Sequence, residues 1–166
     1  MEWLLTKEGT GNALALIVGG AVEALDAIPG KFDLTLNERK GFCKIALKHG
    51  ACLVPTLAFG ENSVYDQKDR SDGTFIKRIQ REITKYAGFS PPVFHGRGIF
   101  QYSFGLLPYR RPLTTVVGRP IDVTKVDQPT DEQVSDLHST YVKNLRELYE
   151  EVKGQYGHND VELLIK

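Results

Sequence analysis

The order of apolar and polar residues along the chain predicts strands and helices in alternation. An apolar run from Ala13 to Val18 ends at Gly19–Gly20, which is the pattern of a strand buried on both faces. The run Ala51–Phe59 is also strand-like, and Pro55 within it indicates a sheet edge, a bulge or the start of the strand. A β-branched run at Leu113–Val117 predicts one more strand.

Three segments have the apolar spacing of amphipathic helices. Thr35–Glu38 fits a capping box, and apolar residues then recur at helical spacing until Gly50. Ser71–Tyr86 places its apolar residues on one side and basic residues mostly on the other. The strongest pattern starts at a second capping box, Thr130–Gln133, and continues to Gly154.

Glycines, prolines and aromatic residues cluster between Gly88 and Pro112, which predicts a structured loop region. Strands that alternate with helices indicate an α/β fold, built as a layered sheet with flanking helices and right-handed crossovers. The 166 residues are the size of one domain and contain no internal repeat. We therefore expect residues 1–166 to form a single α/β domain.

Composition excludes several classes of function. The chain has 21 basic and 21 acidic side chains, so no net charge favours nucleic-acid binding and we expect none. Cys43 and Cys52 are too few for a disulfide framework and lack metal-type spacing, so no metal site is predicted. The longest apolar stretch is shorter than the ~20 residues of a spanning helix, so no transmembrane helix is expected within this chain.

Gly19, Gly20 and Glu23 form the first candidate site. They follow a predicted strand, and ligands in α/β sheets bind outside the carboxyl ends of strands, where glycines permit close approach. The alternative is that the glycines only form a tight turn and that Glu23 caps or solvates the next helix. The spacing alone does not choose between the two.

A stripe of lysines forms the second candidate. Lys40, Lys44 and Lys48 lie four residues apart on one predicted helix, where they could face lipid headgroups or the phosphates of coenzyme A. A solvated face of an ordinary surface helix explains the same pattern.

The ordered residues of three segments resemble a known family. They are Gly19-Gly20-x-x-Glu23, then Arg39-x-Gly41-Phe42-x-Lys44-x-Ala46-x-x-x-Gly50-x-x-Leu53-Val54-Pro55-x-x-x-Phe59-Gly60, then Phe94-His95-Gly96-Arg97-Gly98. In this order they resemble the type 2 diacylglycerol acyltransferases and their monoacylglycerol and wax-ester relatives. The resemblance continues through Pro112–Gly118 to the final helix and covers nearly the whole chain.

The resemblance implies an O-acyltransferase that moves a fatty acyl group from acyl-CoA to the hydroxyl of a monoacylglycerol or diacylglycerol. It also implies work at the cytosolic face of the endoplasmic reticulum membrane or at a lipid droplet, with acyl-CoA as co-substrate and no cofactor. Family members carry a His-Pro-His-Gly motif whose first histidine is the general base. None of the four histidines here fits that motif. We therefore expect an incomplete sheet and a chain that is catalytically incomplete by itself.

The resemblance assigns expected roles to individual residues. Those lining the acyl-acceptor pocket would be Gly19, Gly20 and Glu23, with Glu23 also a supporting catalytic group. Those shaping the wall near the acyl donor would be Arg39, Gly41, Phe42, Lys44 and Pro55. His95 is the best local histidine and is expected to be substrate-binding or structural, whereas His138 is expected to be packed inside.

A second hypothesis comes from a different class of function. The chain could be a non-catalytic lipid-binding or regulatory module that pairs with a full-length homologue through a sheet edge, because an incomplete sheet exposes an edge and apolar surface. A homo-oligomer is the related expectation. The identity of the acyl acceptor, whether monoacylglycerol, diacylglycerol or fatty alcohol, is not encoded in any of these patterns.

Overall fold

The structure, a computed structural model, describes residues 2–6, 11–20, 23, 30–67, 94–100, 105 and 107–166. Its helices are α1 (Glu2–Thr6), α2 (Gly41–His49) and α3 (Asp131–Val152). Its strands are β1 (Phe32–Leu34), β2 (Thr56–Phe59), β3 (Asp66–Gln67), β4 (Phe94–His95), β5 (Thr114–Val117) and β6 (Leu163–Ile165). Short 3-10 turns cover Glu61–Ser63 and Lys153–Tyr156. Within these residues, no helix is both long and apolar enough to cross a bilayer.

The strands of the described residues form three two-stranded sheets. β1 pairs in parallel with β6, and Phe32 lies opposite Leu163. β2 pairs antiparallel with β5, and β3 pairs antiparallel with β4. The mixed α/β content predicted from the sequence is therefore confirmed, whereas one continuous layered sheet is not found in this part of the chain.

The core lies under α3, as its apolar spacing predicted. Thr130 accepts the backbone N–H of Gln133, and the Gln133 side chain accepts that of Thr130, so the predicted capping box is present. The predicted inner face packs as expected: Val134, Leu145, Tyr149 and Val152 are buried, and Leu137, Tyr141, Val142 and Leu148 pack against them. The α-helix ends at Val152, two residues before the predicted stop at Gly154, and a 3-10 turn follows at Lys153–Tyr156.

The strand prediction at Leu113–Val117 is confirmed by β5. The prediction at Ala51–Phe59 is confirmed only for its second half, because the strand begins after Pro55. The Pro55 side chain is fully buried, and its carbonyl accepts the backbone N–H of Gly118 at 2.8 Å. Pro55 thus marks the start of the strand, one of the three positions that the sequence left open.

The predicted strand at Ala13–Val18 is wrong. These residues have no regular secondary structure, and Ile17 is 85% exposed; of the run, Val18 packs against the core. An apolar run indicates that a segment tends to be buried, but a strand also needs a neighbour to accept its backbone hydrogen bonds. No strand among the described residues pairs with this segment.

The predicted capping box at Thr35–Glu38 is also wrong, since α2 begins at Gly41 after Lys40. The backbone N–H groups of Leu36 and Asn37 both donate to the Lys166 carbonyl at 2.8 Å. These two backbone N–H groups are therefore bonded to the C-terminal segment and are not the free N–H groups of a helix N-terminus. The predicted end of α2 is confirmed, because Gly50 adopts a left-handed φ of 62° and donates its N–H to the last turn.

The parallel pair β1–β6 is absent from the sequence predictions. Each strand has three residues, which is too short for an alternating pattern to stand out. The helix predicted at Ser71–Tyr86 and part of the loop predicted at Gly88–Pro112 lie outside the described residues. The described part of that loop includes β4 and two isolated antiparallel bridges, Gly96 to Gly105 and Arg97 to Leu107.

Neighbouring leucines of β6 offer a test of the packing. Leu163 faces the core at 7% exposure, whereas Leu164 is 49% exposed. Leu163→Ala should lower the free energy of unfolding by about 2–5 kcal/mol, because it leaves a cavity beneath α3. Leu164→Ala is the matched control and should change it by less than about 1 kcal/mol. Urea unfolding followed by circular dichroism measures both, and equal losses would contradict this packing.

Candidate functional site

The segment at Gly19, Gly20 and Glu23 is placed against the end of β1. Gly19 is buried, and Gly20 adopts a left-handed φ of 62° that favours glycine. Oε2 of the partly buried Glu23 accepts the backbone N–H of Thr35, the residue after β1, at 3.0 Å. The hydrogen bond from Thr35 to Glu23 therefore connects the predicted glycine segment with the end of β1.

A second strand ends beside the same glutamate. Gly60 follows β2 with a left-handed φ of 89°, and a Cβ there would overlap the Pro112 carbonyl oxygen. This turn leads to Glu61, whose charge acts on Glu23. We call the group Gly19, Gly20, Glu23, Thr35 and Glu61 the carboxylate corner. It combines the residue that follows β1 with a residue that follows β2, because Thr35 is hydrogen-bonded to Glu23 and the charge of Glu61 acts on the same carboxyl group.

Three influences act on the Glu23 carboxyl group. Burial is the largest and raises its pKa above 4.5, the N–H of Thr35 lowers the pKa, and the negative charge of Glu61 raises it. The net pKa shift is upward. Such a carboxyl group can accept a hydrogen bond from a substrate hydroxyl when ionised, and can hold a proton at higher pH than an exposed glutamate can.

The residues expected near the acyl donor do not share one environment. Phe42 and Pro55 are buried; the Phe42 ring packs edge-on against Tyr141, 5.0 Å between centroids. Arg39, Gly41 and Lys44 are exposed. Their assignment to a donor wall thus stays a prediction, and for Phe42 and Pro55 a role in substrate contact would require the core to open.

The predicted lysine stripe is only partly free for a ligand. The Lys40 ammonium donates to the Ser135 hydroxyl at 3.3 Å, and Lys48 pairs with Glu2 at 3.7 Å. Lys44 is exposed between them. Lys44 and Lys48 lie on α2 and Lys40 lies directly before it, but Lys40 and Lys48 already have protein partners.

None of the histidines whose side chains are described stands in the carboxylate corner. His138 is buried, as predicted, and its Nε2 lies 3.0 Å from the Leu36 carbonyl oxygen. His49 ends α2, 3.9 Å from the Glu2 carboxylate. The backbone of His95 belongs to β4, whereas its side chain lies outside the described residues.

The cysteines offer no thiolate nucleophile at neutral pH in the core. Cys43 is fully buried, and burial raises the pKa of its thiol to about 12. Cys52 is exposed, and its Sγ lies 3.4 Å from Oδ1 of Asp122.

A shallow groove of about 450 Å³ runs along α3, and none of the predicted site residues lines it. It is lined by Asn37, His138, Ser139, Val142, Lys143, Arg146 and Glu147. Arg146 already donates to the Leu163 carbonyl, and Lys143 pairs with Glu147. The groove therefore has few free polar groups.

The sequence as a whole decides the family. Residues 1–166 match the family model described as diacylglycerol acyltransferase. The chain belongs to the diacylglycerol acyltransferase family. This confirms the resemblance on which the predicted roles were based, and the matched range includes every residue of the carboxylate corner.

Individual members of the family are close in sequence. The 2-acylglycerol O-acyltransferase 1 of Bos taurus is 53% identical over 98% of this chain and 48% of its own length. The human 2-acylglycerol O-acyltransferase 1 is 50% identical over 99% of this chain and 49% of its own length. The diacylglycerol O-acyltransferase 2 of Bos taurus is 46% identical over 99% of this chain and 46% of its own length. The chain spans about half the length of the curated relatives it matches, and no solved structure matches it.

Two residues of the carboxylate corner were not among the predicted site residues. Thr35 contributes a backbone N–H, which no side-chain pattern can reveal. Glu61 stands directly after Phe59-Gly60, the end of one family-like segment, and its position after a strand and a glycine was the signal available in the sequence.

The raised pKa of Glu23 makes stability depend on pH. The folded chain holds this proton more tightly than the unfolded chain does, so stability should fall as the pH rises from about 4.5 through the folded pKa. Glu23→Gln removes this proton uptake. The stability of the variant relative to the unmodified chain should therefore increase with pH across that window and be constant above it.

Urea unfolding at a series of pH values measures this difference. Glu38→Gln, at an exposed glutamate three residues after Thr35, is the matched control for the change from glutamate to glutamine. A Glu23→Gln curve that does not depend on pH would contradict the raised pKa.

Proposed function

We propose that this chain is the acceptor-binding part of an acyl-CoA:acylglycerol O-acyltransferase, which transfers a fatty acyl group to the hydroxyl of a monoacylglycerol or diacylglycerol. The observation that carries the proposal is the match of the entire chain to the family, with 53% identity to a protein named as a 2-acylglycerol O-acyltransferase. Acyl-CoA is the co-substrate, and the reaction takes place at the cytosolic face of the endoplasmic reticulum membrane or on a lipid droplet.

The carboxylate corner supports an acceptor pocket at Gly19, Gly20 and Glu23. Oε2 of Glu23 is fixed by Thr35, which leaves the other carboxylate oxygen as an acceptor for a hydroxyl of the acylglycerol. Gly20 is exposed and a Cβ there would meet nothing within 4 Å, so the backbone beside this carboxylate leaves open space for a lipid headgroup. Arg39 and Lys44, which are both exposed, are the basic residues proposed to meet the coenzyme A phosphates.

The proposal includes that this chain alone does not turn over substrate. General-base catalysis contributes about 10²–10⁴-fold, and none of the four histidines lies in the His-Pro-His-Gly motif that supplies the base in the family. Within the proposal, the base comes from sequence beyond these residues. The layered acyltransferase sheet is completed in the same way.

A chimera tests whether this chain carries a working half of the enzyme. The chain replaces the corresponding half of the Bos taurus 2-acylglycerol O-acyltransferase 1, and membranes with labelled oleoyl-CoA and acylglycerol are assayed for labelled product. We expect the chimera to acylate and Glu23→Ala within it to lose roughly tenfold to hundredfold, because the acceptor is misplaced. Glu38→Ala is the matched control and should retain activity.

The isolated chain is assayed in parallel. A folded chimera that forms no product would contradict the acyltransferase proposal. Product from the isolated chain that is lost in Glu23→Ala would confirm the activity but contradict the proposal that the chain is incomplete.

The second candidate function, a regulatory module that associates with a longer homologue, is favoured by one observation. Large apolar side chains are exposed to solvent: three lie close together in the sequence, at Leu14, Leu16 and Ile17, and Val117 of the β2–β5 pair is 65% exposed. Ile17→Asp should then reduce co-purification with the longer homologue, whereas Leu164→Asp, also on exposed surface, should not. Equal retention of the homologue by both variants would contradict this function.

A further inference from the structure

We propose that Glu23 is a positioning residue whose carboxylate fastens the Gly19–Gly20 turn to the end of β1, and that position 19 must be glycine because this carboxylate occupies the space beside it. The effect on acyl transfer rests on the proposed function. The contact itself does not, and it is open to direct measurement.

The backbone around Thr35 leaves one donor for Glu23. Leu36 and Asn37 both donate to the Lys166 carbonyl, so the turn after β1 is already tied to the end of β6. The N–H of Thr35 donates to Glu23 Oε2 at 3.0 Å across 12 residues of sequence. A backbone N–H in a partly buried turn costs free energy if it is left without an acceptor, so Glu23 supplies what the strands do not.

The space beside Gly19 points to the same contact. A Cβ at residue 19 would overlap the Glu23 carboxylate and would lie 2.6 Å from the Cβ of Glu23. All three nearest atoms belong to Glu23, so this one side chain sets the requirement for glycine. A Cβ at Gly20 would meet nothing within 4 Å, and there glycine is favoured by the left-handed backbone instead.

Gly19 and Gly20 are adjacent but require glycine for different reasons, the first steric and the second conformational, so variants at the two positions form a matched pair. In the unmodified chain, Gly19→Ala and Gly20→Ala should each lower the folding equilibrium constant by about tenfold, the first by overpacking and the second by backbone strain. In a Glu23→Gly background, the effect of Gly19→Ala should fall to less than about threefold, while that of Gly20→Ala should persist. Chemical denaturation of the chain measures all four effects. An unchanged Gly19→Ala effect in the Glu23→Gly background would overturn the proposal.

A spectroscopic measurement needs no destabilising variant. In ¹H–¹⁵N spectra of the chain, the resonance of the Thr35 amide should shift with pH. The midpoint of this shift should equal the titration midpoint of the Glu23 side-chain carboxyl carbon, followed in ¹³C spectra. Glu61→Gln should lower that midpoint, because it removes the neighbouring negative charge, and Glu38→Gln should leave it in place. A Thr35 amide that does not respond while Glu23 titrates would overturn the proposal, even if the glycine variants fail to fold.

The chimera separates the roles of the two Glu23 oxygens. Glutamine at position 23 can still accept the Thr35 N–H, but its amide nitrogen cannot accept the acylglycerol hydroxyl, so Glu23→Gln should lose acylation through a higher KM for the acylglycerol. Glu23→Ala also loses the Thr35 contact and should lose at least about threefold more than Glu23→Gln. Equal losses in the two variants would overturn the positioning role. If no variant acylates, the proposed function fails, and the denaturation and amide measurements still decide the role of Glu23.

Discussion

The fully buried ring of Tyr149 lies between phenylalanines of two strands that do not pair with each other. Its centroid is 4.9 Å from that of Phe32 in β1 and 6.2 Å from that of Phe59 in β2, and its hydroxyl donates to the Val161 carbonyl just before β6. Backbone hydrogen bonds do not join these two sheets in the described part of the chain. Aromatic packing beneath α3 therefore holds them at a fixed separation.

The carboxylate corner depends on that separation. Thr35 follows Phe32 by three residues, and Glu61 follows Phe59 by two. The ring cluster therefore fixes the strand ends from which Thr35 and Glu61 act on Glu23. Phe32 and Phe59 also touch each other directly, 5.2 Å between centroids. A core substitution that altered the spacing of these rings would thus move Thr35 and Glu61 relative to Glu23, although the substituted residue itself touches no substrate.

The sequence predicts the parts of the fold whose reasons are local. α3 combines a capping box with a long apolar stripe, and its start and inner face follow from those alone. Ala13–Val18 and Thr35–Glu38 fail for a common reason: each pattern is local, but the outcome depends on where distant backbone groups find partners. Lys166, which takes the donors of Leu36 and Asn37, cannot be connected with Thr35 by any pattern of apolar spacing.

The candidate site divides in the same way. Gly19, Gly20 and Glu23 are visible because glycines and a carboxylate follow an apolar run, and the family resemblance supports them independently. The Thr35 amide and the charge of Glu61 come to Glu23 only through tertiary packing. Buried Phe42 and Pro55 show that matching a family motif identifies residues the fold requires, and these need not be residues that a substrate reaches.

The parallel pairing of β1 with β6 has a consequence for biosynthesis. Phe32 meets Leu163 across 131 positions of sequence, so this contact closes a loop that contains most of the chain. Long-range closures of this kind are slow, since the entropy of the loop is lost before the contacts form. During synthesis, β1 therefore has no partner strand until Leu163–Ile165 has left the ribosome. Until then the backbone edge of β1 is accessible to chaperones.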